Sequence, residues 1–270
     1  MNVLPLPDYM ANAFFEPENL NRTMPCFHDS KTQAPRHDVG WDANDVPRSL
    51  VFDDPFYTKA GGQAETAYVF MDGNGLPERW TSTANFSIAE LGFGTGLNFL
   101  ETWRNWIAVR SPSQQLVFTS FEAYPISADD MARALAPWAT LKPLGEALIS
   151  RWQEPPRLPA FWQMDEQTGL RIIPGKAEVT VARWDGLADA WYLDGFSPAR
   201  NPDMWGPDLL QQVHDHTNPD GSFATYTAAA QVRRNLQAAG FTVTRRKGFA
   251  GKREMLLGRK QLEPEVHSAK

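Results

Sequence analysis

The chain has 270 residues, which is enough for one large domain with or without an accessory segment. Its net charge of −6 excludes a uniformly basic nucleic-acid binder, and its single cysteine, Cys26, excludes an internal disulfide or a multi-cysteine zinc site. The single cysteine fits a reducing compartment, so we expect a cytoplasmic protein. No apolar run approaches about 18 residues and no signal-peptide pattern opens the sequence, so we expect no membrane segment.

The first 80 residues contain two features that precede the main pattern. Residues 1–40 hold five prolines and no sustained periodicity, so they predict an irregular N-terminal arm. Residues 66–71 (TAYVFM) are aromatic and β-branched, and the DGNG sequence that follows supplies turn chemistry. We therefore predict a β-hairpin over residues 64–80, which extends a domain spanning residues 41–262 and leaves a tail at 263–270.

Strand and helix patterns then alternate to the end of the chain. This alternation predicts an α/β fold with a mostly parallel sheet that is covered by helices on both faces. Only a turn separates the last two strands, which predicts a closing antiparallel strand. The expected strands are residues 86–91, 115–122, 161–164, 170–173, 178–182, 190–193, 222–226, 241–246 and 254–257, and the expected helices are residues 97–109, 128–135, 141–152, 207–216 and 228–239.

Alternate glycines follow the first of these strands, in the sequence ELGFGTGLNF at residues 90–99. Glycines let the backbone turn sharply and approach a ligand without a Cβ collision. A dinucleotide site carries G-x-G-x-x-G, whereas this loop reads E-x-G-x-G-x-G, and an acid before the loop repels a pyrophosphate. The spacing indicates S-adenosylmethionine, whose ammonium or sulfonium side suits a carboxylate. The candidate cofactor-binding residues in this loop are Glu90, Gly92, Phe93, Gly94, Thr95, Gly96 and Asn98.

Three further candidates for cofactor binding lie at the ends of later strands, at the same edge of the sheet. Glu122 follows the loop by about 30 residues, where a carboxylate can accept both ribose hydroxyls of a nucleoside; the alternative is a solvated Glu. Asp185 is expected to end the strand at 178–182 and to accept a hydrogen bond from adenine, or else to cap a turn. Tyr226 is expected to line the pocket, or else to belong to the core.

The segment at residues 191–205 (WYLDGFSPARNPDMW) combines a strand-end acid, aromatic rings and two prolines. Together with ELGFGTGLNF, TYTAAAQVRRNLQAAGF and RRKGFAGKREML, it resembles the methyltransferase part of the MnmC family, and the resemblance runs from about residue 41 to residue 259. The resemblance implies a Rossmann-like class I methyltransferase fold with a seven-stranded sheet. It also implies transfer of a methyl group to 5-aminomethyl-(2-thio)uridine at the wobble position of tRNA, which gives 5-methylaminomethyl-(2-thio)uridine.

Bifunctional members of this family also carry a C-terminal flavin-dependent oxidase. We expect no such domain and no FAD in this chain. The resemblance therefore implies, besides tRNA, a separate FAD-dependent oxidase or the enzymes that install the aminomethyl group as partners.

Asp194 is the candidate catalytic residue. Methyl transfer to an amine needs a neutral nitrogen, whereas a free alkyl amine has a pKa of about 10. We expect Asp194 to orient the amine and to take its proton, directly or through water. The structural alternative is an Asp that only bonds the backbone of its own loop.

Residues 225–260 carry nine Lys or Arg and one acid, a balance of +8 against −6 for the whole chain. This asymmetry predicts a surface that binds phosphates, here those of the anticodon loop of tRNA. The alternative is that these charged side chains only face solvent. The five histidines are scattered, and we expect no metal site. The candidate RNA-binding residues are Arg200, Lys247, Lys252 and Arg253.

Three other functions are alternatives at this point. A methyltransferase of the same fold acting on another amine or on a protein is disfavoured by the basic stretch. An NAD-dependent oxidoreductase is disfavoured by the glycine spacing. A non-catalytic RNA-binding module is disfavoured by an intact glycine loop with Glu90 and Glu122 beside it.

Overall fold

A computed structural model describes residues 38–58, 61–152 and 159–261. Of the predicted N-terminal arm, residues 1–37 lie outside the described residues, and so does the predicted tail at 263–270. The first strand begins at Val39, two residues before the predicted start of the domain.

The centre of the molecule is an eight-stranded sheet. Its strands are β4 (Asn85–Leu91), β5 (Gln115–Glu122), β6 (Ala160–Asp165), β7 (Thr168–Pro174), β8 (Ala188–Leu193), β9 (Thr217–Thr225), β10 (Phe241–Arg246) and β11 (Met255–Lys260). The order across the sheet is β10-β11-β9-β8-β4-β5-β7-β6. Strands β9, β8, β4, β5 and β7 pair in parallel, while β11 is antiparallel to both of its neighbours and β6 is antiparallel to β7. The predicted mostly parallel sheet with a closing antiparallel strand is confirmed, and β6 adds an eighth strand.

Helices cover both faces of this sheet, since buried hydrophobic residues form one cluster on each side. Alternate residues of a strand point to opposite faces. Accordingly, Phe86 and Ile88 of β4 pack in one cluster, and Ala89 and Leu91 pack in the other. The α-helices of the main domain are α2 (Leu97–Val109), α3 (Ala128–Leu135), α4 (Lys142–Ile149), α5 (Ala177–Thr180), α6 (Pro207–Asp215) and α7 (Ala230–Ala238).

A small antiparallel sheet precedes the main domain. It consists of β1 (Val39–Trp41), β2 (Pro47–Ser49) and β3 (Asp54–Pro55). The loop between β2 and β3 lies over the segment that follows β8, because the rings of Phe52 and Phe196 stack with their centroids 4.9 Å apart. The N-terminal extension is therefore a β-structure, but it is not the predicted one.

The β-hairpin predicted over residues 64–80 is wrong. Helix α1 (Gly62–Glu65) continues into a π-helical turn at Thr66–Met71, and 3₁₀ turns follow at Asp72–Asn74 and Glu78–Ser82. The turn that the DGNG sequence predicts is present, since Gly75 has a φ of +69°. The aromatic and β-branched run before it is nevertheless helical, because its apolar residues are buried in the core under α2, and tertiary packing outweighs local β-propensity.

The strand predicted at residues 178–182 is also wrong. Residues 177–183 form α5 and a 3₁₀ turn, with Ala177 and Val181 buried in the core. In the part of the chain that the structure describes, no helix is both long and apolar enough to cross a membrane.

Candidate functional site

A cavity of about 490 Å³ opens at the carboxyl ends of the parallel strands, where ligands bind in open α/β sheets. The segments that follow β4, β5, β7, β8 and β9 all contribute to its lining, and α1 and the small sheet supply the opposite wall. Its size lies in the range of small-molecule sites. The predicted site residues on the lining are Gly92, Phe93, Gly94, Thr95, Asn98, Glu122, Asp194, Tyr226 and Lys252.

The glycine loop between β4 and α2 has the conformation that its sequence predicts. Gly92, Gly94 and Gly96 have φ values of +89°, +52° and +77°, a region that favours glycine. A Cβ atom on Gly94 would lie 3.2 Å from the Phe56 ring, which also lines the cavity. A side chain at Gly94 would therefore press on this ring and change the shape of the cavity.

Glu122 holds this loop in place. One carboxylate oxygen, Oε2, accepts hydrogen bonds from the backbone N–H groups of Phe93 and Gly94, at 2.8 and 3.0 Å. The other oxygen, Oε1, accepts from the N–H of Tyr124 at 2.6 Å. A carboxylate offers about four lone-pair positions, so Glu122 keeps an acceptor position for a hydroxyl group of a ligand.

Glu90 lies beneath the cavity and not in its lining. It is fully buried and shares the face of β4 that packs on α2, where Asn98 Nδ2 and Ser120 Oγ donate to its two carboxylate oxygens at 2.9 and 2.8 Å. Burial raises the pKa of Glu90 well above its ordinary value. Glu90 therefore reaches the cavity lining only through Asn98, and its predicted contact with the cationic part of a cofactor stays a prediction.

Asn98 joins Glu90 to Asp194. Its Nδ2 atom also donates to Asp194 Oδ2 at 2.6 Å, and its Oδ1 atom accepts from the Thr66 hydroxyl at 2.6 Å. Asp194 follows β8 and lines the cavity. The pKa of Asp194 is raised to about 7, mainly by burial and also by the Glu65 carboxylate, against the opposing effects of the hydrogen bond from Asn98 and the charge of Lys252. Asp194 is therefore a carboxyl group that changes its protonation near neutral pH.

Tyr226 and Lys252 meet beside Asp194. The Tyr226 hydroxyl donates to the backbone carbonyl of Gly195 at 2.8 Å. The Lys252 ammonium lies 2.8 Å from Glu65 Oε1 and 4.8 Å from the centre of the Tyr226 ring. Lys252, predicted to contact RNA, thus lies in the cavity wall.

Two other residues that the sequence predicts for the site, Asp185 and Arg200, do not line the cavity. Asp185 is exposed and lies outside the cavity lining, because the residues before it are helical and end in a turn. The segment Lys176–Glu178 lines the cavity in its place. Arg200 is exposed and forms an ion pair with Asp53 at 3.1 Å.

Several lining residues were missed from the sequence. Glu65 and Thr66 belong to the segment for which the sequence predicts a hairpin, Phe52 lies in the loop between β2 and β3, and Phe56 directly follows β3. A Glu-Thr pair inside an otherwise apolar run was the available signal for the first two. No comparable signal marked the two phenylalanines.

The cavity fits S-adenosyl-L-methionine by the chemistry of its lining. The loop presents bare glycine backbone, Glu122 retains an acceptor position, and Tyr124 offers a ring at the same end of β5. Among the residues that the structure describes, no group of three or more His, Cys, Asp and Glu could hold a metal ion.

Replacing Glu122 by glutamine is expected to weaken S-adenosylmethionine binding about tenfold or more and to lower the unfolding temperature. The side-chain amide nitrogen cannot accept a hydrogen bond, so a loop N–H group loses its partner, at a cost of about 1–3 kcal/mol. Isothermal titration calorimetry and thermal unfolding measure the two effects. Glu166→Gln, on the exposed turn between β6 and β7, is the matched control. An unchanged affinity would show that Glu122 does not support the loop.

Comparison with known proteins finds a matching family model and similar proteins. Residues 139–261 match a family model described as S-adenosyl-L-methionine-dependent methyltransferase. The bifunctional protein MnmC of tRNA 5-methylaminomethyl-2-thiouridine biosynthesis is 40% identical in Chromohalobacter salexigens, over 83% of this chain and 32% of that protein. The protein of the same name in Caulobacter vibrioides is 41% identical, over 80% of this chain and 37% of that protein. The chain thus spans about a third of the length of these relatives.

A solved structure, that of MNMC2 from Aquifex aeolicus, shares the fold. Its TM-score is 0.68 at 22% identity, and the match covers 85% of this chain and 72% of that chain. The fold, the glycine loop and these similarities are those of a Rossmann-like S-adenosyl-L-methionine-dependent methyltransferase, and the chain is similar, over most of its length, to about a third of the MnmC protein.

Proposed function

We propose that this protein methylates the primary amine of 5-aminomethyl-(2-thio)uridine at the wobble position of tRNA, which gives 5-methylaminomethyl-(2-thio)uridine. The observation that supports this most directly is a titrating carboxylate, Asp194, that faces the cavity close to the glycine loop. The relatives are named as proteins of tRNA 5-methylaminomethyl-2-thiouridine biosynthesis, and this name supplies the substrate class.

The chain's own residues account for the proton that the reaction releases. Bound S-adenosyl-L-methionine supplies a methyl group whose carbon bonds to the amine nitrogen while the C–S bond breaks and its electron pair stays on sulfur. The methylated nitrogen then carries one proton more than the neutral product. Asp194 accepts this proton, directly or through water, and a proton acceptor with a pKa near the working pH suits this role. Asn98 keeps the carboxylate oriented through the 2.6 Å hydrogen bond.

Aromatic rings at the cavity offer stacking surfaces for the target base. The rings of Phe56 and Phe196 line the cavity with their centroids 5.3 Å apart. Wobble nucleotides lie in a single-stranded loop, so the base can leave its stack and pack against such rings. No tryptophan of the described residues lines the cavity, so we assign the stacking role to these phenylalanines.

The segment between β10 and β11 carries two of the proposed contacts to the anticodon loop. Lys247 and Arg253 are exposed and form no ion pair with any described residue, so their charges are available to phosphates. Arg200 joins them as a candidate through exchange of its Asp53 partner. We place the reaction in the cytoplasm, with a separate FAD-dependent oxidase or the enzymes that install the aminomethyl group as suppliers of the substrate.

A labelling experiment tests the proposal. Purified protein is incubated with methyl-labelled S-adenosylmethionine and with tRNA that carries 5-aminomethyluridine at the wobble position, and the nucleosides are then separated. We expect label only in 5-methylaminomethyluridine. The same tRNA with an unmodified wobble uridine is the control and should remain unlabelled. Label in another nucleoside, or no label, would refute the assignment.

The double variant Lys247→Glu with Arg253→Glu is expected to raise the KM for tRNA about tenfold or more. Each reversal replaces attraction to a phosphate by repulsion, while neither residue lines the cofactor cavity. The affinity for S-adenosylmethionine should therefore stay the same, and steady-state kinetics at constant salt with calorimetry separates the two effects. Lys142→Glu, an exposed reversal on α4, is the control. An unchanged KM would place the RNA on another surface.

A further inference from the structure

Lys252 occupies a site built to hold a cation. Its ammonium lies 2.8 Å from Glu65 Oε1 and 4.8 Å above the Tyr226 ring, and a carboxylate next to an aromatic face is a standard arrangement for binding ammonium groups. Glu65 is buried, and its other oxygen, Oε2, accepts from the Thr58 N–H at 3.2 Å. Asp194 lines the same cavity, and the charge of Glu65 raises its pKa while the charge of Lys252 lowers it.

This arrangement matters because the cavity is otherwise adverse to a neutral amine. Carboxylates stabilise the ammonium form of a nearby amine and raise its pKa, whereas methyl transfer needs the nitrogen lone pair. Six acids lie on the cavity lining, namely Asp54, Glu65, Glu122, Glu178, Asp194 and Asp203. The described lining contains two cations, Lys176 after β7 and Lys252. The sheet order places β7 on the far side of β4 from β8, so Lys252 is the cation beside Asp194.

We propose that Lys252 is a positioning residue that fills the Glu65–Tyr226 cation site and thereby forces the acceptor amine to bind beside Asp194 as the free base. The proton of the incoming ammonium goes to water on entry. The cationic neighbour then keeps the nitrogen deprotonated until it reacts, in the way that a second cation lowers the pKa of a reactive lysine. This inference rests on the proposed amine methylation and names what makes the amine reactive.

The charged groups around Lys252 are consistent with this role. Glu65 of α1 and Tyr226 after β9 contact it, while Asp194 after β8 and Asp54 of β3 line the same cavity. On its own segment Arg253 is exposed, and Glu254 forms an ion pair with Arg245 at 3.2 Å. The ion pair with Glu65 holds the Lys252 charge in place, so removing the lysine leaves the carboxylates free to bind the substrate as an ammonium ion.

The pH dependence of turnover tests the inference. The probe is tRNA with 5-aminomethyluridine at the wobble position, saturating together with S-adenosylmethionine, so that kcat reports on the bound complex. The test is made in the Asp194→Asn background, where residue 194 cannot titrate and the remaining rising limb of the kcat profile reports the bound amine. There, Lys252→Met should move this limb to higher pH by about 1–2 units, since a like charge within about 4–6 Å shifts a pKa by that order. Turnover should fall about 10- to 100-fold at pH 7 and recover near pH 9. Lys252→Arg, which keeps the charge, should retain the profile of Asp194→Asn alone.

Each outcome is decisive. A purely RNA-binding role for Lys252 would raise the KM for tRNA and leave the kcat profile in place, which would overturn the inference while the wild-type activity still supports the proposed function. A wild-type enzyme that does not label this tRNA would overturn the proposed function and the inference together. Thermal unfolding and S-adenosylmethionine titration of both variants show that any loss does not come from a damaged fold.

Discussion

Replacing Asp194 by asparagine is expected to lower the turnover of methyl transfer by about 10²- to 10⁴-fold, the range that a positioned proton acceptor contributes. Asparagine has the same shape and can still accept the hydrogen bond that Asn98 donates to Asp194. It cannot take a proton from the methylated amine. The affinity for S-adenosylmethionine should stay within a few fold of the wild-type value.

The pH dependence of wild-type turnover should also report the protonation of Asp194. Because the pKa of Asp194 is raised to about 7, the residue is protonated below that pH and turnover should fall as the pH is lowered through 7. In Asp194→Asn this part of the dependence should disappear. Single-turnover rates between pH 5.5 and 9 measure it, and Asp208→Asn, an exposed change at the start of α6, is the control. Unchanged turnover in Asp194→Asn would leave Asp194 with a structural role only.

The same substitution should affect stability in the opposite direction. A carboxyl group whose folded pKa is raised favours folding below its unfolded pKa of about 4, and this contribution is lost as the pH rises to about 7. Asparagine does not ionise, so in Asp194→Asn this residue no longer causes a loss of stability as the pH rises. The variant should therefore unfold at a higher temperature than the wild type at pH 8, and the difference should shrink toward pH 4.

The parts of the site that the sequence predicts well depend on neighbouring residues in the chain. The positive φ angles of Gly92, Gly94 and Gly96 follow from the need for a tight turn between a buried strand and a helix. Glu122 ends β5 and Asp194 directly follows β8, and the carboxyl ends of these parallel strands meet at one edge of the sheet. These positions could be inferred without knowing what packs around them.

Glu90 shows what strand position alone does not settle. It lies next to the loop, yet it is on the same face of β4 as Phe86 and Ile88, which pack in the core. Counting alternate residues along the strand would have placed Glu90 among these core residues and beneath Asn98. The sequence predicted the correct edge of the sheet, but our interpretation ignored the face.

Other errors arise from contacts between distant segments. The run at residues 66–71 has strand propensity but becomes helical in the core, which brings Glu65 to the cavity. Likewise, residues 225–260 contain almost no acids in sequence, but the acids that pair with their basic side chains come from distant segments of the chain. Arg246 pairs with Asp72, Lys252 with Glu65 and Arg259 with Asp220. The unpaired charge near the cavity is therefore smaller than the composition of the stretch indicates.

Gly94→Leu is expected to reduce S-adenosylmethionine affinity by 100-fold or more without unfolding the protein. The φ of +52° at Gly94 is a left-handed conformation that an L-residue can adopt at a cost of about 1–2 kcal/mol. The added Cβ would lie 3.2 Å from the Phe56 ring, and the rest of the leucine side chain would fill space beside the loop that the ligand needs. Gly94→Ala should show a smaller loss of about tenfold.

Gly75→Ala separates backbone strain from blocked binding. Gly75 has a comparable φ of +69° and lies outside the cavity lining, and its added Cβ would meet the flexible side chains of Arg79 and Arg259. Both alanine variants should therefore lose similar stability on thermal unfolding, while only Gly94→Ala loses affinity in calorimetry. Equal affinities in the two would mean that the ligand does not contact the loop at Gly94, and the cofactor would then have to bind along another wall of the cavity.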